Sequence, residues 1–470
     1  MSAHLKQDEP VTSNRLDGMK QGIVGQPLSR VDGLAKVTGT APYAAEYKID
    51  NVAEGVLVTA PITRGEVASI DKDSVLSMPG VLAVLNDERL TTRAAQGTAN
   101  EAPQQDPATV CYWGQPIAVV VAETFEQARD AAKHLKVEYR VHEGAPLDPH
   151  QVTPEEQEDE TVNQGNLDAA MARAAHTVDV EIATEGHASA AMEPHAAIAE
   201  WRDDKLTVHA SLQMPNYNIA ELADSLGIEE SDIRLVSRYV GGGFGSKLGV
   251  SEETVAAAIA ARELGRPVRV VMSRQQVFQC IMRRSETTQK LRLASDEEGK
   301  LDGFAHHALV SNLPGEEFAE PVLQSSHFLY GGENRQLKLE VARIHRMTAG
   351  SVRAPGEAVG MPALEVAMDM LAEKSGVDPV ELRLRNIPDR NPEEDLPFSS
   401  HKLADCLRQG AEKFGWDGGP RKPRQQREGE WWIGTGMASA ARVHNISEAK
   451  ARVTLKADGT AVVETDMTDI

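Results

Sequence analysis

Cysteine is scarce in this sequence of 470 residues. Its three cysteines, Cys111, Cys280 and Cys406, lie far apart and form no CxxC pair. Without paired spacing, the sequence argues against a disulfide framework, a zinc knuckle or an iron–sulfur site on this chain. We therefore expect three buried or semi-buried thiols.

Positive charge is also in short supply. The chain has 49 Lys and Arg against 71 Asp and Glu, which gives a formal net charge of −22. Such a field repels a phosphate backbone and an anionic lipid surface, and no block of basic residues offsets it. The composition predicts neither a nucleic-acid partner nor a membrane partner.

Long apolar runs are missing as well. No stretch approaches the roughly eighteen apolar residues that a membrane-spanning helix needs. The N-terminus, MSAHLKQDEPVTSNRLDG, has no apolar segment of the kind found in secretory signals, so the sequence alone predicts a cytoplasmic chain. Apolar residues make up 41% and charged residues 26%, as in soluble globular proteins, and the length suggests about three domains.

What is present is a succession of strand and helix patterns. The apolar run IAVVVA precedes Thr124, which forms a capping box with Gln127 at the start of a helix. LKVEYRV follows, so we predict a β-α-β unit that closes an α/β domain near residue 146. Residues 147–166 are acidic and polar, which favours a linker or a surface crossing.

Further strands and helices are predicted after this acidic stretch. Four strand patterns come first: VDVEIAT, AAIAEW, KLTVHASLQ and DIRLVSRYV. Ser251 is the predicted N-cap of a helix that stops at Gly265. A second helix is predicted to end at Gly376, and Asp378 is the predicted cap of a third.

Between the last of these strands and the Ser251 helix lies YVGGGFGSKLG, residues 239–249. A Walker A loop does not fit, because Ser246 stands at the second glycine position and Leu248 at the hydroxyl position. A dinucleotide fingerprint fits Gly241 and Gly243 but again meets Ser246 at its third glycine. A bare backbone that approaches an anionic or planar ligand is the third interpretation, and a simple glycine-rich connector is the fourth.

Several longer segments resemble the xanthine dehydrogenase/aldehyde oxidase family, in the order that the family has them. They are GQPLSRVDGLAKVTGTAPYAAEY, AMEPHAA, VGGGFGSK and SVRAPGEAVGMPALEVAMDMLAEKSGVDPVELRLRN. The strongest likeness is to the molybdenum-binding subunit of bacterial aldehyde oxidoreductases, and it runs from about Gly25 to Ile470. The resemblance implies an α+β fold in which an α/β hammerhead domain precedes molybdopterin-binding domains, the last one incomplete.

The resemblance also implies a division of the chain. It gives an N-terminal extension at 1–24, the hammerhead domain at 25–146 and the acidic linker at 147–166. The first molybdopterin-binding domain then occupies 167–412, and the start of a second occupies 413–470.

Site residues follow from the same resemblance, position by position. Gly242, Gly243, Phe244 and Gly245 would line the molybdenum cofactor, with Phe244 as an apolar wall. Gln213 would hydrogen-bond a molybdenum oxo group, because an amide donor can do so without adding charge.

Arg353 would be the active-site arginine. It would both contact the cofactor and act in catalysis. A guanidinium there can stabilise negative charge that develops on a substrate oxygen. Without the motif, the ordinary interpretation of Arg353 is an ion pair with a nearby glutamate.

His187 and His195 lie eight residues apart, which is not the helical spacing of a zinc pair. We expect them to serve in packing, and we expect no metal ligand from the protein. Leu248 stands where purine-oxidising relatives place a glutamate, so the resemblance favours an aldehyde over xanthine.

In the family, the chain continues beyond VETDMTDI to a further cofactor loop and to the glutamate that acts as catalytic base. Nothing here corresponds, so we expect a C-terminally truncated chain. One hypothesis is the N-terminal portion of a molybdenum hydroxylase that converts aldehydes to carboxylic acids once its missing C-terminal portion is supplied. The alternative is a truncated, catalytically inactive fragment.

The implied cofactor is a molybdenum-molybdopterin, in the cytosine dinucleotide form. No iron–sulfur or flavin motif is present, so the resemblance implies a separate [2Fe-2S] subunit and a separate FAD subunit as partners. In some relatives a partner subunit carries a twin-arginine signal, which leaves a periplasmic location open beside the cytoplasmic one.

Overall fold

The structure is a computed structural model that describes residues 25–90, 108–398, 400–418, 424–442 and 450–465. The N-terminal extension predicted at 1–24 lies outside these ranges, as do the last five residues of the chain.

The helices of the described ranges are α1 (Gly33–Val37), α2 (Asp73–Leu76), α3 (Phe125–His134), α4 (Leu167–Arg173), α5 (Pro215–Leu226), α6 (Glu252–Leu264), α7 (Arg274–Cys280), α8 (Glu357–Ser375), α9 (Pro379–Asn386) and α10 (Leu403–Phe414). The strands of the first half are β1 (Ala53–Thr59), β2 (Gly65–Asp71), β3 (Val81–Leu85), β4 (Thr109–Val110), β5 (Pro116–Ala122), β6 (Lys136–Val141), β7 (Glu155–Glu156), β8 (Val162–Gln164), β9 (His176–Thr184) and β10 (Ala196–Arg202). Those of the second half are β11 (Lys205–Ala210), β12 (Ile233–Val236), β13 (Val268–Val271), β14 (Thr287–Ser295), β15 (Leu301–Asn312), β16 (Asn334–Arg343), β17 (Gln426–Glu428), β18 (Trp431–Ile433), β19 (Ala451–Leu455) and β20 (Ala461–Thr465).

A seven-stranded sheet, in the order β12-β11-β10-β13-β1-β5-β3, carries the first core. It joins early and late segments of the chain, because β1 pairs in parallel with β13 and antiparallel with β5. Helix α6 packs on β10 and β13 and is buried along most of its length, as its alanine-rich, apolar sequence requires. The core beneath this sheet therefore fixes the two sides of the glycine cluster, which lies between β12 and α6.

The predicted β-α-β unit is only partly correct. Strand β5, helix α3 and strand β6 all form, but β6 pairs with β2 in a separate three-stranded sheet, in the order β4-β2-β6. Strand β5 is buried at all its residues, whereas β6 alternates half-buried and exposed positions. Such alternation suits a sheet with one solvated face, so α3 links two sheets instead of two strands of one sheet.

A second large sheet has the order β7-β16-β15-β14-β9, with β8 also paired to β16. Helix α8 packs against β9 and β14 and shares their core. The acidic stretch at 147–166 does more than connect, since β7 and β8 both come from it and extend this sheet at its edge.

The predicted helix ends agree with the structure in most cases. Thr124 and Gln127 form the capping box of α3, and Gly376 ends α8 in the left-handed conformation. The Asp378 side chain accepts from two backbone N–H groups of α9. Ser251 stands at the N-cap of α6, but its hydroxyl makes no capping hydrogen bond there.

The three cysteines differ from the expectation at one position. Cys280 is buried and Cys111 half-buried, whereas Cys406 is exposed. The prediction is wrong for Cys406 because α10 is amphipathic and lays only one narrow face on the protein, with Leu407 its one buried residue. None of the described helices is long and apolar enough to cross a bilayer.

Candidate functional site

The glycine cluster forms a tight loop between β12 and α6. Gly242, Phe244 and Gly245 all have positive φ, at +98°, +55° and +101°. For phenylalanine this left-handed conformation is uncommon and carries strain. The Phe244 ring is held at the surface, 41% exposed.

Two of the glycines are needed for packing within the protein itself. A Cβ on Gly243 would lie 2.0 Å from Gln213 Oε1, and one on Gly245 would lie 1.9 Å from the carbonyl oxygen of Ser351. Any side chain there would push the loop off its neighbours. The bare backbone at these two positions thus allows close approach to Gln213 and to a second loop.

Gln213 follows β11 and is almost fully buried, at 2% exposure. Its Oε1 accepts hydrogen bonds from the backbone N–H groups of Gly245, at 3.0 Å, and Lys247, at 3.3 Å. These two donors fix which end of the amide is oxygen. The Nε2 group makes no hydrogen bond with a described residue and is therefore the end that can donate to a ligand.

Arg353 lies on the second loop, residues 351–356, directly before α8. Its backbone N–H donates to the carbonyl oxygen of Phe244 over 2.7 Å, which joins the two loops. Its side chain is exposed and forms no ion pair with a described residue, in contrast to the ordinary interpretation of an Arg–Glu pair. The structure thus brings Gln213, Phe244 and Arg353 together through adjacent backbone hydrogen bonds.

Beneath the two loops lie two buried ion pairs that sequence reasoning missed. Lys247 Nζ lies 3.0 Å from Glu193 Oε2, and Arg284 Nη1 lies 2.6 Å from Glu320 Oε1. Burial lowers the pKa of Lys247, and burial raises the pKa of the Glu320 carboxyl. Glu193 stands in the AMEPHAA segment and Lys247 in VGGGFGSK, so the motifs contained this pair without revealing the contact.

A third carboxylate borders the second loop. Both Glu357 carboxylate oxygens are buried without a hydrogen-bond partner in the described ranges. Arg442 Nε lies 3.8 Å from one of them, which is an ion pair beyond hydrogen-bonding distance. The site region thus contains an incompletely satisfied acceptor as well as the free donor of Gln213.

The two histidines of EGHASAAMEPHA differ in their surroundings. His187 is exposed, while His195 is buried and its Nε2 lies 2.9 Å from the carbonyl oxygen of Ser246. Burial lowers the pKa of His195 to about 4, so the ring is uncharged at neutral pH and donates from Nε2. His195 packs under the glycine loop, as expected, but the expected packing role is wrong for His187, because its side chain is exposed. In the described ranges, no group of three or more His, Cys, Asp or Glu could hold a metal ion.

Comparison with known proteins places this geometry in context. The family model "Molybdopterin cofactor-binding domain" matches residues 125–387, and the model "Aldehyde oxidase and xanthine dehydrogenase, a/b hammerhead domain" matches residues 38–143. The order of the two domains confirms the predicted fold class.

Two curated relatives illustrate the range of similarity. The aldehyde oxidoreductase molybdenum-binding subunit PaoC of Escherichia coli K12 is 40% identical, over 99% of this chain and 64% of that protein. The aldehyde oxidoreductase of Megalodesulfovibrio gigas is 29% identical, over 82% of this chain and 46% of that protein. The chain therefore spans at most about two-thirds of the length of these relatives.

Solved structures share the fold. The aldehyde oxidoreductase from Desulfovibrio gigas superposes with a TM-score of 0.73 at 26% identity, over 82% of this chain and 46% of that one. Quinoline 2-oxidoreductase from Pseudomonas putida 86 gives the same TM-score of 0.73 at 21% identity, over 83% of this chain and 54% of that one. The second likeness is evidence for the fold alone.

Proposed function

The chain belongs to the xanthine dehydrogenase/aldehyde oxidase family of molybdopterin-binding proteins, and we propose that its two joined loops hold the molybdenum end of the cofactor. The observation that carries the proposal is the free Nε2 group of Gln213. It lies beside the Phe244 loop, which is hydrogen-bonded to the loop of Arg353. A buried amide with its oxygen fully used leaves its NH₂ group to donate to a ligand acceptor.

Each residue has a role that its chemistry fits. Gln213 donates to an oxygen of the bound group without adding charge. Phe244 offers a partly exposed aromatic face to a planar ligand, and Gly242 keeps that face free of a neighbouring side chain. Arg353, which is exposed and has no ion pair among the described residues, stabilises negative charge on a substrate oxygen.

When bound, the cofactor supplies the two-electron redox chemistry that protein side chains lack. The reaction that we propose for the complete enzyme is the oxidation of a small aldehyde to a carboxylic acid. Half-buried Leu248, in the position where purine-oxidising relatives have a glutamate, supports an aldehyde because it gives a purine no carboxylate to bond. PaoC, whose name is that of an aldehyde oxidoreductase subunit, is consistent with this substrate class.

The complete enzyme that we propose includes polypeptide equivalent to the rest of its relatives' length, together with an iron–sulfur subunit and an FAD subunit. The cytosine dinucleotide form of molybdopterin remains our proposal for the cofactor. For location we propose the cytoplasm, with export to the periplasm as the alternative if a partner subunit carries the signal. The competing function is that of an inactive fragment that binds no cofactor.

Molybdenum and pterin content distinguish the two functions. The 470-residue chain would be produced in a host that makes molybdopterin, purified, and assayed for both and for aldehyde oxidation with an artificial electron acceptor. Pterin in the wild type that is lost in Gln213→Leu, but kept in the surface control Arg408→Ala, supports cofactor binding by this site. A wild type free of pterin despite full cofactor supply contradicts it.

A further inference from the structure

One buried ion pair, Glu193–Lys247, binds the glycine loop near both of its ends. Lys247, with no exposed surface, donates to the carbonyl oxygen of Glu193 at 3.0 Å, to its Oε2 at 3.0 Å and to Ser211 Oγ at 2.8 Å. Glu193 Oε2 accepts from the N–H of Gly241 at 2.7 Å, and its Oε1 accepts from Ala44 at 3.3 Å. Gly241 and Lys247, on either side of the other loop glycines, thus meet at one carboxylate.

The second loop is held in a similar way by the other pair. The Arg284 guanidinium donates to the carbonyl oxygens of Val352, at 3.0 Å, and Ala354, at 3.3 Å, and also to that of Arg353. Glu320 Oε1 accepts from Arg284 and from the N–H of Gly356 at 2.7 Å. Four backbone groups of this loop, three carbonyls and one N–H, thus bind one cation and one anion.

These partners distinguish the two pairs from an ordinary buried ion pair. Arg383 and Glu365, 2.7 Å apart, lie on α9 and α8 and lock two regular helices together. The other two pairs instead bind the backbone of loops that contain strained residues, since Phe244 and Ala354 have φ of +55° and +54°. Such conformations persist only where surrounding contacts over-determine them.

We propose that Glu193–Lys247 and Arg284–Glu320 are positioning pairs that hold the glycine loop and the second loop in the arrangement in which Gln213 and Arg353 face one ligand. This inference rests on the proposed function. None of the four residues is catalytic, because each acts through loop backbone. A buried ion pair contributes little net stability compared with an apolar pair of similar volume, so its geometric role can be separated from a stabilising one.

Hydrogen exchange of backbone amides tests this directly, since it reads each loop separately. In Glu193→Gln we expect exchange about tenfold faster in peptides that cover 239–248, with strands β10 and β13 unchanged. In Glu320→Gln we expect the same change in peptides that cover 351–357. The control Glu365→Gln, which breaks the helix–helix pair, should leave both loops as in the wild type.

A double variant separates positioning from stability. Glu193→Leu with Lys247→Met removes both charges, so the melting temperature should return close to that of the wild type. Exchange in the 239–248 loop should nevertheless stay about tenfold faster. Wild-type exchange in the double variant would overturn the proposal. If that variant does not fold, Lys247→Arg replaces it. Near-wild-type exchange in the 239–248 loop then supports a requirement for the charge. Exchange as fast as in Glu193→Gln overturns the proposal.

Pterin content keeps the two proposals distinguishable. Pterin in the wild type and about tenfold less in the stable double variant supports both. Equal pterin in the two proteins overturns the positioning role alone. Absence of pterin from the wild type, with loop exchange as expected, overturns the proposed function and leaves the loop-holding role standing on its own measurement.

Discussion

The two site loops and the two C-terminal hairpins, β17–β18 and β19–β20, lie at opposite extremes of burial. In the glycine loop Gly243, Gly245 and Lys247 are buried, and the carbonyls and N–H groups around them have partners in other elements. In β17–β18 and β19–β20 every residue is exposed, including Trp431 at 75% and Leu455 at 80%.

The difference shows what each region depends on. The loops adopt strained backbone because buried ion pairs and a neighbouring loop support them, and all these supports lie in the described chain. The hairpins are held by their own strand pairing, and an isolated two-stranded hairpin is marginally stable. Exposed apolar patches of this kind mark interaction surfaces, which fits our proposal that further polypeptide completes the enzyme.

The largest effect that we expect separates a site loop from an exposed helix position. Gly245→Ala should lower the free energy of unfolding by about 3 kcal/mol or more, because its Cβ would meet a backbone oxygen 1.9 Å away and its φ is +101°. Gly410→Ala, in the exposed middle of α10 with open space around its Cβ, should raise stability by about 0.5–1 kcal/mol. Urea denaturation of both variants measures the difference, and equal effects would show that the loops do not pack as described.

A second prediction concerns the pH dependence of stability. It involves His327, whose burial lies between that of the site loops and that of the hairpins. Burial alone would lower the pKa of His327, but its hydrogen bonds to Glu160 and Glu393 outweigh burial and raise it to about 9. At pH values below the unfolded-state pKa of about 6.5, the charged ring thus contributes at most about 3 kcal/mol to the free energy of unfolding. This contribution is lost as the pH rises through about 9.

We therefore expect the melting temperature to fall between about pH 6.5 and pH 9. His327→Gln should flatten this part of the profile. His134→Gln, at an exposed site on α3, is the control and should keep the slope. A profile that His327→Gln leaves unchanged would rule out the charged contact.

A third and smaller effect measures strain in the second loop. Ala354→Gly should raise the free energy of unfolding by about 1 kcal/mol, because glycine accepts a φ of +54° without penalty. The same substitution at Ala411 in α10 should lower it by about 1 kcal/mol. Opposite signs for one chemical change confirm the strain, whereas a loss at both positions contradicts it.

The smallest expected effect tests the hairpins. Leu455→Gln should change stability by less than about 0.5 kcal/mol, because that side chain is 80% exposed. Leu339→Gln, fully buried in β16, should cost several times more, about 3 kcal/mol. A large loss at Leu455 would mean that the hairpin packs on the protein after all.

Local signals in the sequence predicted much of the fold. The capping box of Thr124 and the stop at Gly376 depend on neighbours within a few residues, and the structure has both. Sheet membership depends on partners far along the chain, which is why β6 was assigned to the wrong sheet. The acidic stretch at 147–166 was predicted to be a linker because its two edge strands are too short to show alternating apolar and polar residues.

The site was predictable in its motif residues but not in its supports. Glycine-rich and arginine-bearing segments are recognisable in sequence, so Gln213, Phe244 and Arg353 could be named. Lys247 and Glu193 lie 54 residues apart, and no local rule connects a lysine after a glycine cluster with a glutamate in another segment. That Gly243 and Gly245 serve packing contacts inside the protein also became evident only from the geometry.

The most direct test of the central claim, that the two loops form one ligand site, is amide hydrogen exchange with and without bound molybdopterin. We predict that the cofactor slows exchange about tenfold in 239–248 and in 351–357 together, and leaves the two hairpins unchanged. Protection of one loop only, or of neither, would contradict the account.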